Sequence, residues 1–390
     1  MKNVESLFNT LLSDLPVEKK YPQYNPQDNF VHVLYLSPML SAAGYYRMIA
    51  PMMELNKTST HRALINKIHK WDFSKQFDDY DNPLDERLIK WAHYIVLPAI
   101  FSDINYIMDI VRDKNPDAVT YMDVDCNYLE IEEQHPLSGK ITMDRRKTLL
   151  SNLQLVDGLI CSGSSLAERV EQLMLQHLGK QIKRPYVMEG KLSEEGFVNF
   201  KGLRVAAKKK TEDVDRVGLI LSPGDWQDVQ ELIPVLEELQ VEEKRMELIV
   251  FGWPGTIKGE NKMGELYFRY VKSVRIEEYQ LKLRDLELDI VLLPLKDSDY
   301  NRGKTAVKFL EASVLGIPVV ASNHFIYKDK IIDGKNGFLA EEKKEWKEKI
   351  ISLIRDKKFR EQMGENARRL VWKNWSYEYG GIKSLLEIFK

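Results

Sequence analysis

The chain has few cysteines, little net charge and no long apolar run, and each shortage removes a class of protein. Only Cys126 and Cys161 occur in 390 residues, in unrelated contexts and without metal-ligand spacing. A disulfide scaffold is excluded, and the pair reads as reduced core thiols of a cytosolic protein. Lys and Arg number 57 against 59 Asp and Glu, a formal charge of −2, so nothing drives the whole chain toward nucleic acid. No apolar run approaches the roughly 18 residues of a membrane span, and the start Met-Lys-Asn-Val-Glu-Ser-Leu lacks a signal-peptide profile. The expectation is a cytoplasmic protein, with peripheral contact at the inner membrane face left open. What remains is ordinary for a globular chain: 44% hydrophobic and 30% charged residues, and enough length for two domains with separate cores.

The stretch from Asp289 to Ala321 is the most informative. Ile290 to Leu293 and Pro318 to Ala321 are short continuous apolar runs of the kind buried on both faces of a parallel sheet. Between them the spacing predicts a helix from about Lys304 to Leu315, stopped by Gly316 and Pro318. The unit is βαβ. On that helix Val307, Leu310 and Val314 form the apolar stripe, and Lys304, Lys308 and Glu311 recur at i, i+4 and i+7 on another face. Two lysines in the opening turns oppose the positive helix N-terminus and repel each other. A bound phosphate or diphosphate at the strand-to-helix turn would relieve both penalties. A solvated helix with a Lys308–Glu311 pair is the competing reading.

Residues 303–322, Gly-Lys-Thr-Ala-Val-Lys-Phe-Leu-Glu-Ala-Ser-Val-Leu-Gly-Ile-Pro-Val-Val-Ala-Ser, are followed by Ile332-Asp333-Gly334-Lys335-Asn336-Gly337-Phe338-Leu339. Together they resemble the donor-binding signature of the large retaining group of GT-B glycosyltransferases (group 1, family 4-like). The resemblance implies two Rossmann-like α/β domains facing across a cleft, with a C-terminal helix crossing back to the first domain. It also implies that Glu311 binds the ribose of a nucleotide-sugar and that basic residues hold the diphosphate. One position departs from the pattern. The usual second acidic residue, eight positions before the Glu, is here Gly303. Tyr300-Asn301-Arg302-Gly303-Lys304 resembles a subset in which a Lys replaces the acidic element, so the sugar and the stereochemical outcome stay open.

Along the chain, Val4 to Leu15 shows helical spacing, Phe30 to Leu36 reads as the first strand, and a small-residue loop Ser37 to Gly44 leads into a helix through Tyr45 and Leu55. Gly44-Tyr45-Tyr46-Arg47 resembles the Gly-x-x-Arg ending of the cleft loop of GT-B enzymes, with Arg47 either a phosphate contact or a surface or salt-bridging residue. Strands follow at Ala63 to Ile68 and Tyr94 to Leu97, then a helix at Ile104 to Lys114 and a strand at Ala118 to Met122. That strand ends in Asp123-Val124-Asp125, two carboxylates that point the same way from extended chain. The spacing is similar to the Asp-x-Asp metal motif of the other glycosyltransferase fold, GT-A, but Asp-x-Asp is common by chance and no metal or cofactor is expected. By resemblance Asp123 stands where GT-B enzymes place a residue facing the reacting sugar; a turn-capping Asp is the alternative.

Ile131 to Gly139 reads as a loop with a solvated His135. Asp144 to Gln154 and Leu166 to His177 read as helices, the second capped by Ser164 or Ser165, with strands at Gly158 to Cys161 and Pro185 to Met188. Val217 to Leu221 opens a second α/β series with the turn Ser222 to Trp226 and a helix to Leu239. Met246 to Phe251, a strand near Val271 to Val274 and a helix at Glu277 to Leu286 follow, and three helices close the chain. The expected domains are 1–200, a basic linker 201–214, a donor domain 215–375, and a helix 376–390 packing back. Catalytic candidates are Asp123 and Lys304. Donor-binding candidates are Ser222, Gly224, Asn301, Lys304, Thr305, Lys308 and Glu311, and Gly44, Arg47 and Asp125 are placed at the acceptor or cleft side.

The function expected is transfer of a sugar from a nucleoside-diphosphate-sugar, UDP- or GDP-linked, to a glycan, lipid-linked or protein acceptor, with retention and without a metal. Three alternatives predict different behaviour. An epimerase works without an acceptor, a non-catalytic binding subunit binds donor without turnover, and a nucleic-acid-modifying transferase binds polynucleotide in a salt-sensitive way.

Overall fold

The computed structural model describes residues 9–10, 13, 15–36, 41–66, 84–179, 182–194, 214–222, 224–252, 262–263 and 265–390. Most of the expected first helix, Ser37 to Leu40, most of the polar stretch before Arg87, the basic linker with Lys201, Arg204 and Lys208 to Lys210, and Pro223 lie outside the described residues.

Two six-stranded sheets carry the chain. The first contains β1 (Val31–Tyr35), β2 (His61–Ile65), β3 (Tyr94–Pro98), β4 (Val119–Val124), β5 (Gly158–Cys161) and β6 (Tyr186–Val187), in the order β2-β1-β3-β4-β5-β6. All pairings are parallel. In the second half come β7 (Asp215–Leu221), β8 (Met246–Gly252), a small antiparallel hairpin of β9 (Lys262–Met263) and β10 (Leu266–Tyr267), β11 (Arg269–Lys272), β12 (Ile290–Leu293), β13 (Val319–Ser322) and β14 (Phe338–Ala340). Its main sheet runs β11-β8-β7-β12-β13-β14, again all parallel. The strands are uninterrupted apolar runs because helices cover both faces, as in Leu34, Ile95, Ile249 and Val291, which are fully buried.

Strand order reverses between β1 and β3 in one sheet and between β7 and β12 in the other. The loops leaving the carboxyl ends at these points diverge and leave a crevice, where open α/β sheets bind ligands. The cleft candidates follow β1 and β4, and the donor candidates follow β7 and β12.

After β1 the chain forms one helical segment, Ala42–Gly44, Tyr45–Ile49 and Ala50–Leu55, whose middle turn is a π-helix. Pro51 has no N–H to close the α-helical bond to Arg47, and the preceding turn widens so that Ala50 N–H donates to Tyr45 O. The wide turn carries Tyr46 and Arg47, both buried.

The tail returns to the first domain. Leu192 and Ser376 form a parallel bridge, and the helix Ile382–Ile388 follows a turn at Tyr377–Gly381. Phe389 is fully buried against Tyr35, Tyr94 and Tyr121, with ring centroids 6.3, 5.4 and 6.2 Å apart, and its carbonyl accepts from His61 Nε2 at 2.7 Å. Among the described residues no helix is long and apolar enough to cross a membrane.

Several local expectations shift. The helix expected from about Lys304 begins at Val307 and runs to Val314, and a separate short helix, Asp299–Arg302, capped by Ser298 Oγ accepting Asn301 N–H, precedes it. The strand near Val271 begins at Arg269, and the helix expected to reach Leu239 breaks into Trp226–Val229 and Ile233–Glu242. Gly163, not Ser164 or Ser165, is the N-cap of Ser164–Leu178, without a side-chain bond.

Candidate active site

Lys304 lies in the loop between the two short helices, not in a helix N-terminal turn, and this placement decides its partners. Its Nζ donates to Asp225 at 2.9 Å and to Asp228 at 3.2 Å, while Lys308, on the second helix, bonds the other oxygen of Asp225. The expected repulsion between the lysines is therefore relieved by carboxylates from the turn after β7. Burial opposes the charge on Asp225, but the two ammonium groups outweigh it and hold that carboxyl well below the usual range. Burial likewise opposes the charge on Lys304, and Asp225 and Asp228 more than offset it, so the ammonium persists.

The other donor-side candidates converge on the same node. Ser222 N–H donates to Asp225 Oδ2 at 2.6 Å. Asn301 is buried and its Nδ2 donates to Asp228 Oδ1 at 2.8 Å and Lys296 O at 3.0 Å, so its amide organises the network. Gly224 has φ +104°, in the left-handed region, and lies against the His135 ring of the first domain. Thr305 lines a cavity of about 80 Å³ between the domains, together with Lys304, Val307, Ser165, Gly190 and Lys330.

Glu311 does not pair with Lys308. The helix turns it inward, where it is 3% exposed and both oxygens are taken: Tyr46 OH donates to Oε1 at 2.7 Å and Tyr279 OH to Oε2 at 2.9 Å. Burial pushes its carboxyl up to about 7, against the two hydroxyl donors. Tyr46 comes from the first domain and Tyr279 from the second, so this carboxylate joins the lobes.

On the first-domain side, Arg47 and Asp123 meet. Arg47 Nε donates to Asp123 Oδ2 at 2.9 Å, its Nη2 bonds Oδ1, and its Nη1 bonds the Met188 carbonyl. Burial disfavours the charge on Arg47, and the Asp123 carboxylate more than restores it. Of the alternatives, salt bridging holds for Arg47, while surface exposure for Arg47 and turn capping for Asp123 do not, because residues 76 positions apart satisfy each other in the interior. Asp125, half-buried at the end of β4, accepts from Tyr128 OH at 3.0 Å, and burial together with the Asp123 charge pushes it up to about 6. Gly44 N–H donates to Ser41 Oγ at 3.3 Å, and Gly44 serves to start the helix. Among the described residues no group of three or more His, Cys, Asp or Glu side chains is arranged to hold a metal.

Gly303 has a steric explanation. A Cβ there would lie 2.5 Å from the Asn127 backbone nitrogen and 2.7 Å from its Cβ, so an acidic side chain does not fit this packing. Asn127 Nδ2 also donates to Asp299 O at 2.9 Å, and Gln227 Nε2 to Gln134 O at 2.6 Å, holding the loop after β4 against the second domain. Asp225, Asp228, Tyr46, Tyr279 and His135 were not singled out as site residues. The two Asp at i, i+3 in the turn after β7 were a usable signal. His135 was expected in solvent and is instead 4% exposed, because Tyr300 and Gly224 of the other domain cover it.

Comparison with known proteins bears on this geometry. Residues 268–370 match the family model for glycosyl transferases group 1. An uncharacterized glycosyltransferase of Methanocaldococcus jannaschii is 27% identical over 172 residues, 42% of this chain and 42% of that protein. HepE of Anabaena, solved with UDP-glucose, is 14% identical with a TM-score of 0.56, over 92% of this chain and 98% of that one. TarM of S. aureus, solved with fondaparinux, α-GlcNAc-glycerol and UDP, is 16% identical with a TM-score of 0.52, over 77% of this chain and 56% of that one. The chain thus spans less than two thirds of the length of the M. jannaschii protein and of TarM. The chain has the GT-B fold of these structures, and the segment that matches the glycosyl transferases group 1 family, residues 268–370, carries Asn301, Lys304, Lys308 and Glu311.

Proposed function

We propose that the protein transfers a sugar from a UDP-sugar to an acceptor hydroxyl in the cleft between its lobes, with residues 1–200 as the acceptor side and 215–375 as the donor side. The observation that carries this reading is the lysine pair set beside the uncapped N-terminus of Val307–Val314, inside the matched family segment. An ammonium has three N–H donors. Lys304 spends two on Asp225 and Asp228 and Lys308 spends one, so three remain for phosphate oxygens. The carboxylates set the lysine positions, and the helix N–H groups add donors of the same sign.

In the step proposed, the bond from the anomeric carbon to the diphosphate breaks and its electron pair leaves on the diphosphate. The acceptor oxygen bonds to that carbon, and its proton passes to the Asp125 carboxylate. Lys304, Lys308 and the helix N-terminus stabilise the charge that builds on the leaving group, which is why the mechanism uses no metal. Asp125, which burial and the Asp123 charge push up to about 6, is the base assigned to the acceptor hydroxyl, and Asp123 positions Arg47. Glu311 takes the ribose hydroxyls once Tyr46 withdraws. A cavity of about 80 Å³ is far below the several hundred Å³ of a typical ligand site, so donor entry requires the lobes to part. UDP is preferred as the nucleotide because HepE and TarM were solved with UDP-glucose and UDP. The family resemblance supports retention, which requires the acceptor oxygen to arrive on the face that the diphosphate leaves.

The test is a thermal-shift series with UDP, GDP, dTDP, ADP and their sugar conjugates, with and without magnesium, since a ligand that binds only the native state raises Tm. Stabilisation by the uridine series without metal, followed by release of UDP on adding acceptor, is expected. Absence of stabilisation by every nucleotide overturns the reading.

A further inference from the structure

His135 presents a buried donor that the chain itself leaves unused. It lies in the loop between β4 and the helix Met143–Asn152 of the first domain. Leu137 N–H donates to its Nδ1 at 3.2 Å. Because Nδ1 acts as acceptor there, the proton of the neutral ring sits on Nε2. Burial lowers the pKa of the ring and the Lys304 charge lowers it further, so the neutral form is the one present. Nε2 has no hydrogen-bond partner among the described residues. Buried N–H groups almost always have an acceptor, and one without it loses its hydration with no return.

The surroundings of that N–H are polar and belong to the donor side. Nε2 lies against Gly224, the glycine in the turn that supplies Asp225. A Cβ at position 224 would overlap the imidazole, so the close approach depends on glycine there. The ring packs on Tyr300 with centroids 4.4 Å apart, and Lys304 Nζ lies 5.4 Å from the centroid of that tyrosine. His135, Tyr300 and Lys304 thus form a stack that reaches from the first domain to the proposed phosphate site.

We propose that the Nε2–H of His135 donates to a phosphate oxygen of the bound nucleoside diphosphate, a contact made across the cleft from the first domain. The inference rests on the donor reading given above. A diphosphate held on the free N–H groups of Lys304 and Lys308 abuts the turn at Gly224, and parting of the lobes to admit it moves Gly224 off the ring. The phosphate oxygen then takes the place against Nε2 that Gly224 holds in the closed form.

The experiment is calorimetric titration of wild type, His135→Phe, His135→Gln and Lys308→Ala with UDP, GDP and uridine, beside thermal unfolding of each free protein. Phe keeps the ring packing on Tyr300 and removes the N–H; Gln restores an N–H near the position of Nε2. His135→Phe is expected to weaken UDP and GDP by roughly tenfold, the effect of one hydrogen bond to a charged group. Uridine, which has no phosphate, keeps its wild-type affinity, and any fall in Tm of the free protein from losing the Nδ1 acceptor of Leu137 N–H is separate from the loss of diphosphate affinity. His135→Gln stays within about threefold of wild type, well under that tenfold step. A merely structural role lowers Tm in His135→Phe and leaves the affinity of the folded fraction unchanged, which overturns the proposal. So does an equal loss for uridine. If folded wild type binds none of the nucleotides, the donor reading itself fails. If wild type binds UDP, Lys308→Ala weakens it and His135→Phe does not, only the His135 contact fails.

Discussion

Glu311→Gln isolates the energetic consequence of burying a carboxylate between two tyrosines. In the folded chain its pKa is raised from 4.5 to about 7. Between those values the native state binds more protons than the unfolded one, so stability falls as pH rises. The contribution is complete below about pH 4.5 and is lost as pH climbs through about 7. A shift of this size corresponds to about 3 kcal/mol, at about 1.4 kcal/mol per pH unit. Gln is nearly isosteric, keeps a partner for each tyrosine hydroxyl and does not titrate. The unfolding free energy of the variant minus that of wild type, from urea titrations at pH 5, 6, 7 and 8, should therefore grow by about 2.5 kcal/mol across the series, the part of the full shift that falls in this window. Asp125 also titrates in this range, but it is present in both proteins and cancels. Tyr46 and Tyr279 are raised above 10 and stay neutral throughout. A difference that does not change with pH would falsify the assignment of a buried, titrating Glu311. In the same variant UDP binding should weaken, because a neutral amide accepts less strongly from ribose hydroxyls.

Lys304→Ala leaves Asp225 and Asp228 with Lys308 as their nearest cation, and loss of one partner from a buried ion-pair group costs about 3–5 kcal/mol, to be read as a drop in urea midpoint. Lys304→Ala with Asp228→Asn should recover part of that loss, and no recovery would dissociate the two residues. Gly303→Ala places a methyl against Asn127 and should destabilise by about 1–3 kcal/mol, measured by the same titration; a neutral result means that the loop after β4 yields freely. Arg47→Ala leaves Asp123 buried without its cation and should lower stability at pH 7 more than at pH 4, where protonation of the carboxyl removes the penalty. Phe389→Ala empties the space among Tyr35, Tyr94 and Tyr121 at a cost of about 3–5 kcal/mol, and an unchanged Tm would contradict the packing of the tail on the first domain.

Local pattern determined the strands and the family match of one segment. Runs such as Ile290 to Leu293 and Val217 to Leu221 are apolar without alternation, which only a strand covered on both faces tolerates, and both are parallel strands in the centre of the second sheet. The segment 303–339 carried its resemblance in residue identity, which needs no geometry, and the family match over 268–370 covers it. Helix starts were less legible: the helix expected from about Lys304 begins at Val307, and Ser298 as a cap and Gly303 as a stop mark a separate short helix, Asp299–Arg302, that was not expected. What only tertiary structure decided is which charges meet. Arg47 with Asp123, Lys304 and Lys308 with Asp225, and Glu311 with Tyr46 are pairs 76, 79, 83 and 265 residues apart. No spacing rule spans such separations, because the register of two sheets and the angle between two lobes intervene. His135 shows the same limit. Its sequence neighbours are those of an exposed loop, and its burial comes from Tyr300 and Gly224, which packing alone brings to it.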